Sequence, residues 1–187
     1  MGKLIYAAIT SLDGYIADTA GNFDWSTPDA EVHAFVNDLE RPIGTYLLGR
    51  RLYDVMKVWD TFYGQDGLPK EMEDYAAIWH QAQKIIYSTT LSEPGAANTR
   101  IEPTFDPDSI RRLKAEATTD LSVGGAELAG QALKAGLVDE IHLLMSPVMV
   151  GGGKRALPDG ASTSLELLEQ RRFGNGVVHL HYGVKVD

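Results

Sequence analysis

Two places in this chain join an apolar, β-prone run to a helical one through glycine, and both could hold a phosphate. At Gly49-Arg50-Arg51, the free N–H groups of a helix start, its dipole and two guanidinium groups can converge on an anion. At Val123-Gly124-Gly125-Ala126-Glu127 a glycine pair lets a diphosphate approach the backbone where any side chain would obstruct it. Each junction also has a plain reading, a capped surface helix at the first and a tight turn at the second, since neither follows GxGxxG spacing. Taken together they suit a dinucleotide stretched across the C-terminal ends of several strands.

Other polar groups point less clearly to chemistry. His179 and His181 lie two apart in a predicted strand and so share a face. They could be metal ligands, but no third ligand is evident, ordinary strand surface or an interface is the alternative, and no metal is expected. His33 lies near the proposed site and also reads as a partly buried structural histidine, while Trp59 and Trp79 read as core or pocket wall.

The elements that must position these residues alternate. Leu4 to Thr10 reads as a buried strand, followed by a turn at Leu12-Asp13-Gly14-Tyr15. Ser26-Thr27-Pro28-Asp29 reads as a helix start, with a hydroxyl cap and Pro28 at the first helical position, and that helix runs to about Glu40. A strand over Thr45 to Gly49 leads into a helix through Met56, and the stretch from Asp60 to Pro69 is mixed and polar. Helices are predicted over Lys70 to His80, Pro107 to Ala117 and Ala126 to Ala135, the last closed by Gly136, with strands over Lys84 to Ser88, Leu121 to Val123 and Val138 to Met145. Pro94 to Pro107 is the most loop-like interior stretch, and Gly151-Gly152-Gly153 marks another loop. Gly174-Asn175-Gly176, between β-prone runs, is a hairpin signal. The expected fold is α/β, three layers around a mixed, mainly parallel sheet closed by a C-terminal antiparallel hairpin, with residues 1–187 as one domain.

Composition narrows the partners. With 17 Lys and Arg against 26 Asp and Glu, the formal charge of −9 has the wrong sign for tracking a nucleic-acid backbone, so a small-molecule partner is expected. No cysteine is present, which excludes disulfides, thiolate metal sites and a cysteine nucleophile and suits a reducing compartment, the cytoplasm. The apolar run after Met1 is short and meets Asp13 and Gly14 almost at once, and no segment approaches membrane-spanning length.

Four segments, Ser11-Leu12-Asp13-Gly14-Tyr15-Ile16-Ala17, Leu48-Gly49-Arg50-Arg51-Leu52-Tyr53, Ile85-Ile86-Tyr87-Ser88-Thr89-Thr90 and Val123-Gly124-Gly125-Ala126-Glu127-Leu128, stand in the order found in dihydrofolate-reductase-like proteins. A fifth, Ser146-Pro147-Val148-Met149-Val150-Gly151-Gly152-Gly153-Lys154-Arg155, resembles the reductase (RibD C-terminal) branch of riboflavin biosynthesis. The resemblance spans nearly the whole chain. It implies NADPH as cofactor, with Gly49, Arg50 and Arg51 at its phosphates, Arg50 at the 2′-phosphate, and Ser88 and Thr89 assisting. It further implies that Gly124, Gly125, Ala126 and Glu127 border the diphosphate, that Ala8 and Ile16 line the nicotinamide pocket, and that Asp13 and Gly14 shape the loop above it.

The resemblance also implies an acid on the first helix beside Trp25, at the substrate. Counting forward from Trp25 and Pro28 gives Asp29, whereas counting back from Phe35 gives Glu31, and acids in a first helical turn also simply complement the dipole. Lys154 and Arg155 could meet a substrate phosphate or form a solvated basic pair. The implied chemistry is hydride transfer from NADPH to a C=N or C=O carbon of a pyrimidine or pterin-like substrate, as in 5-amino-6-(5-phosphoribosylamino)uracil reductase, with dihydrofolate the alternative. The His-x-Glu and Pro-Cys-x-x-Cys signature of the fused pathway deaminase is absent. A homodimer is expected by resemblance, and a nucleotide-binding homologue without turnover is the alternative of another class.

Overall fold

In the computed structural model, which describes residues 1–185, β1 (Leu4–Ser11) runs through the middle of the protein. Its neighbours are β6 (Asp120–Gly124) and β7 (Glu140–Ser146), both parallel to it. Beyond β6 lie β3 (Ile43–Gly49), β4 (Gln83–Tyr87) and β5 (Thr99–Glu102), again parallel. Beyond β7, the hairpin of β9 (Leu165–Arg172) and β10 (Val178–Val184) adds two antiparallel strands, giving the eight-stranded order β5-β4-β3-β6-β1-β7-β10-β9. The other parallel strands are joined through helical crossovers, whereas β4 reaches the parallel β5 through a loop with no helix.

The central strands are apolar on both faces, as a sheet covered on both sides requires. Alternation then divides the core in two. Leu47, Ile85, Leu121 and Val123 face α5 (Pro107–Glu116) and α6 (Ala126–Lys134), where Ile110, Ala129 and Ala132 meet them. Tyr46, Leu48 and Ile86 face the other way, against Tyr53 of α2 (Arg50–Met56) and Tyr75 and Trp79 of α4 (Lys70–Gln81). A third cluster seats α1 (Ala30–Glu40) through Val32 on Leu144 of β7 and on Phe173 and Val177 of the hairpin turn. The expected α/β/α layering and mixed, mainly parallel sheet are present.

Three local expectations change. The first helix begins at Ala30, and its cap is Asp29, whose carboxylate accepts from the Val32 N–H at 2.9 Å. Neither hydroxyl caps it, and Pro28 stays in the extended entry, because the aspartate already satisfies the orphan donor. The polar stretch from Asp60 contains the end of a short helix, α3 (Val58–Phe62), held by Trp59 against Tyr75 and His33 with ring centroids 4.7 and 5.6 Å apart. Within the loop-like stretch 94–107, β5 forms despite its mixed composition, because β4 offers it a pairing edge in register from Lys84↔Thr99 to Tyr87↔Glu102. Tertiary pairing overrides local propensity at such an edge.

A small second sheet pairs β2 (Tyr15–Ala17) with β8 (Lys154–Arg155) and ties the turn after β1 to the glycine loop. Asp13 tightens that tie by accepting from the backbone N–H groups of Val150 at 3.2 Å and Gly151 at 2.7 Å. At Gly153, φ 132, a side chain would collide with the Ala17 carbonyl, so only glycine allows this approach.

Candidate active site

A cleft of about 1700 Å³ opens over the C-terminal ends of β3, β4 and β6 and continues across the middle of β1 beneath α1. Its position follows from topology, since β3 and β6 are side by side and each turns into a helix at its last residue. The two glycine junctions therefore meet. A methyl group placed on Gly125 would lie 3.8 Å from the Gly49 backbone nitrogen. Gly125, at φ 90, opens α6, and no side chain caps this N-terminus, so its first N–H groups remain free. At Gly124 a methyl group would press on Leu52 at 2.6 Å and Leu48 at 2.8 Å, which keeps the floor bare.

Charge is arranged around this bare floor. Arg50 bonds Thr90 and reaches Asp54 at 3.4 Å. The Ser88 hydroxyl oxygen accepts from the N–H groups of Thr90 and Leu91 at 3.2 and 3.0 Å, which fixes the turn carrying Arg50's partner. Glu127, in the first turn of α6, would repel an anion, but Lys154 bonds it at 2.8 Å and Arg51 lies 3.6 Å away. The Lys154 bond chiefly holds the Glu127 carboxyl below its ordinary range. Ala8 and Ile16 line the same cleft, as do Thr89 and Ala126.

Other sequence candidates lie elsewhere. Asp13 and Gly14 sit in the stitched turn beside the glycine loop, outside the cleft wall. Arg155 stacks over Tyr15 at 5.6 Å and lies 3.9 Å from Asp159. Trp25 belongs to a single 3-10 turn, Asp24–Ser26, and does not line the cleft. Asp29 is spent on the helix cap, and Glu31 accepts from the Gly174 N–H at 3.2 Å and from Arg171 at 3.4 Å, stapling α1 to the hairpin turn. Neither acid reaches the cleft wall.

A different carboxyl does. Glu40, at the last turn of α1, lines the inner end of the cleft beside Tyr46, Tyr75 and Trp79. Its Oε2, the Tyr46 hydroxyl and Trp79 Nε1 are all sealed from water without a hydrogen-bond partner. Burial pushes the Glu40 carboxyl up to about 7. The sequence held a signal for this residue: Val32, Val36 and Glu40 are four apart, which puts an acid in the apolar stripe of α1.

The model of the family described as the RibD C-terminal domain matches residues 2–179. The chain belongs to this family. This RibD C-terminal domain is 28% identical over 182 residues to protein YyaP of Bacillus subtilis, covering 96% of this chain and 94% of that one. Its fold is also that of a candidate riboflavin biosynthesis protein from Shewanella sp. PV-4, at TM-score 0.75 and 23% identity over 98% of this chain and 99% of that one. A pyrimidine reductase-like protein from Corynebacterium diphtheriae aligns at TM-score 0.70 and 17% identity, covering 100% and 93%. The Thermotoga maritima diaminohydroxyphosphoribosylaminopyrimidine deaminase/5-amino-6-(5-phosphoribosylamino)uracil reductase aligns at TM-score 0.68 and 14% identity over 98% of this RibD C-terminal domain and 57% of its own length.

Proposed function

We propose that this protein is an NADPH-dependent reductase acting on a pyrimidine or pterin-like substrate, most like 5-amino-6-(5-phosphoribosylamino)uracil. The observation that carries the reading is the meeting of the β3 and β6 glycine junctions on one cleft, with an uncapped helix start and arginines beside them. That donor set fits a diphosphate and a further phosphate. When bound, NADPH supplies the hydride.

The chain's own residues bind, orient and protonate. Gly124 and Gly125 admit the diphosphate, while Arg50 and Arg51, with Ser88 and Thr89 framing the turn beside them, face its phosphates. Ala8 and Ile16 flank the reacting ring, and Lys154 is the cation of the basic pair that borders the cleft. Held near half-protonation in neutral solution, Glu40 is the carboxyl of the cleft best placed to release a proton toward the substrate. The whole-molecule expectation is a homodimer, supported by the exposed β9 edge.

The test is titration with NADPH and NADH, then nicotinamide absorbance with the ribosylaminopyrimidine phosphate and with dihydrofolate. Preferential NADPH binding, weakened by Arg50→Ala, with oxidation on addition of one substrate is expected. Absence of binding by either nucleotide would sink the reading, and binding without turnover across both substrates would leave a nucleotide-binding protein.

A further inference from the structure

The sequence pairs His179 with His181 and offers no third ligand. The sheet supplies other partners. β7 and β10 are antiparallel neighbours in which His181 stands directly opposite His142, and Glu140 lies two residues before His142 on the same strand face. Ligand atoms of Glu140, His142 and His181 all fall within 4.8 Å of one another, and this is the one such group of three among the described residues.

Two of the converging atoms, His181 Nε2 and Glu140 Oε2, are hydrogen-bonded to each other, a contact that a metal ion would replace. His181 Nε2 lies 3.1 Å from Glu140 Oε2, and His142 Nε2 lies 3.9 Å from the same oxygen. A tetrahedral zinc ion with bonds near 2.0–2.2 Å holds its ligand atoms roughly 3.3 Å apart, so little movement is needed. The outer partners are already placed. His142 Nδ1 is bonded to His179 Nε2 at 3.0 Å, which leaves Nε2 to the inner face, and Lys3 Nζ holds Glu140 Oε1 at 2.6 Å, which leaves Oε2. Such outer contacts fix ring orientation and tautomer at metal sites.

One geometric adjustment is required. The His142 and His181 rings stack at 3.9 Å with 17° between planes, so their lone pairs run side by side and must tilt toward a shared ion. The β10–β9 register shifts between His181 and Tyr182, leaving Leu168 unpaired on the edge strand.

We propose that Glu140, His142 and His181 form a binding site for an imidazole-preferring divalent transition-metal ion such as zinc, stapling β7 to β10 and leaving one coordination position open. With two nitrogen donors and one carboxylate, the site selects zinc, cobalt or nickel over magnesium and calcium. It lies apart from the proposed cofactor cleft and does not depend on the reductase reading.

The full chain, stripped with chelator, should be titrated with zinc calorimetrically and with cobalt by visible absorbance, using magnesium and calcium as controls. One equivalent of zinc per chain, a cobalt spectrum of low coordination number and a rise in melting temperature with zinc are expected. His181→Ala and Glu140→Gln, each checked for an unchanged circular dichroism spectrum, should weaken binding at least tenfold, whereas His80→Ala should not. No binding of zinc or cobalt would overturn the proposal, as would wild-type affinity in both the His181→Ala and Glu140→Gln proteins.

Discussion

Glu40 holds its proton near neutral pH because its carboxyl is buried beside phenols and an indole. The sign of the consequence is fixed. A carboxyl raised from 4.5 to about 7 on folding makes the native state bind the proton more tightly, so stability falls as pH rises through this window and levels off above it. Glu40→Gln should therefore melt higher than wild type at pH 8, by on the order of 2 kcal/mol, with the difference shrinking toward pH 5 in parallel denaturant curves. If Glu40 supplies the proton, single-turnover hydride transfer in wild type should decline above pH 7, and the glutamine variant should lose that limb along with most of its rate. A second prediction concerns Gly125. Its φ of 90 lies where an L side chain is strained, so Gly125→Ala should cost about 1–2 kcal/mol and weaken NADPH binding, read by melting and by nucleotide titration.

At the scale of the element, α1 separates two roles that the sequence places on adjacent acids. Asp29 caps the helix and Glu31 staples it to the hairpin turn. Asp29→Ala should destabilise the protein by about 1 kcal/mol, as loss of a helix cap does, while leaving the rate of hydride transfer within about twofold. A loss of turnover at unchanged stability would instead assign Asp29 the acid role that the resemblance implies. The starts of α2, α4, α5 and α6, the glycine junctions and the turn at Gly174-Asn175-Gly176 were legible along the chain, because each is a local problem of dihedral angles and orphan backbone groups. β5 was not, since Thr99–Glu102 has no apolar run and exists through its pairing with β4.

At the scale of the molecule, β9 stands at the open edge of the sheet with every residue exposed, including Leu165, Leu167 and Leu168. An edge strand carrying three exposed leucines is a pairing surface unless covered. If a second copy covers it, Leu167→Lys should shift the protein from dimer to monomer in light scattering without altering its circular dichroism. Wild type running as a monomer at the same concentration would remove the expectation. Among the described residues, no helix is long and apolar enough to cross a membrane.

The sequence by itself determined the alternation of strands and helices, the two glycine junctions and the family, because these are written in local periodicity and in residues a few positions apart. Only the tertiary structure decided which distant residues share a site. It brought Gly49 to Gly125, set His142 opposite His181, and turned Glu40 into the cleft while Asp29 and Glu31 were used to hold α1. Strand order and helix rotation make those choices, and both follow from how separate apolar faces are buried together, a property of the packed whole that short-range pattern does not carry.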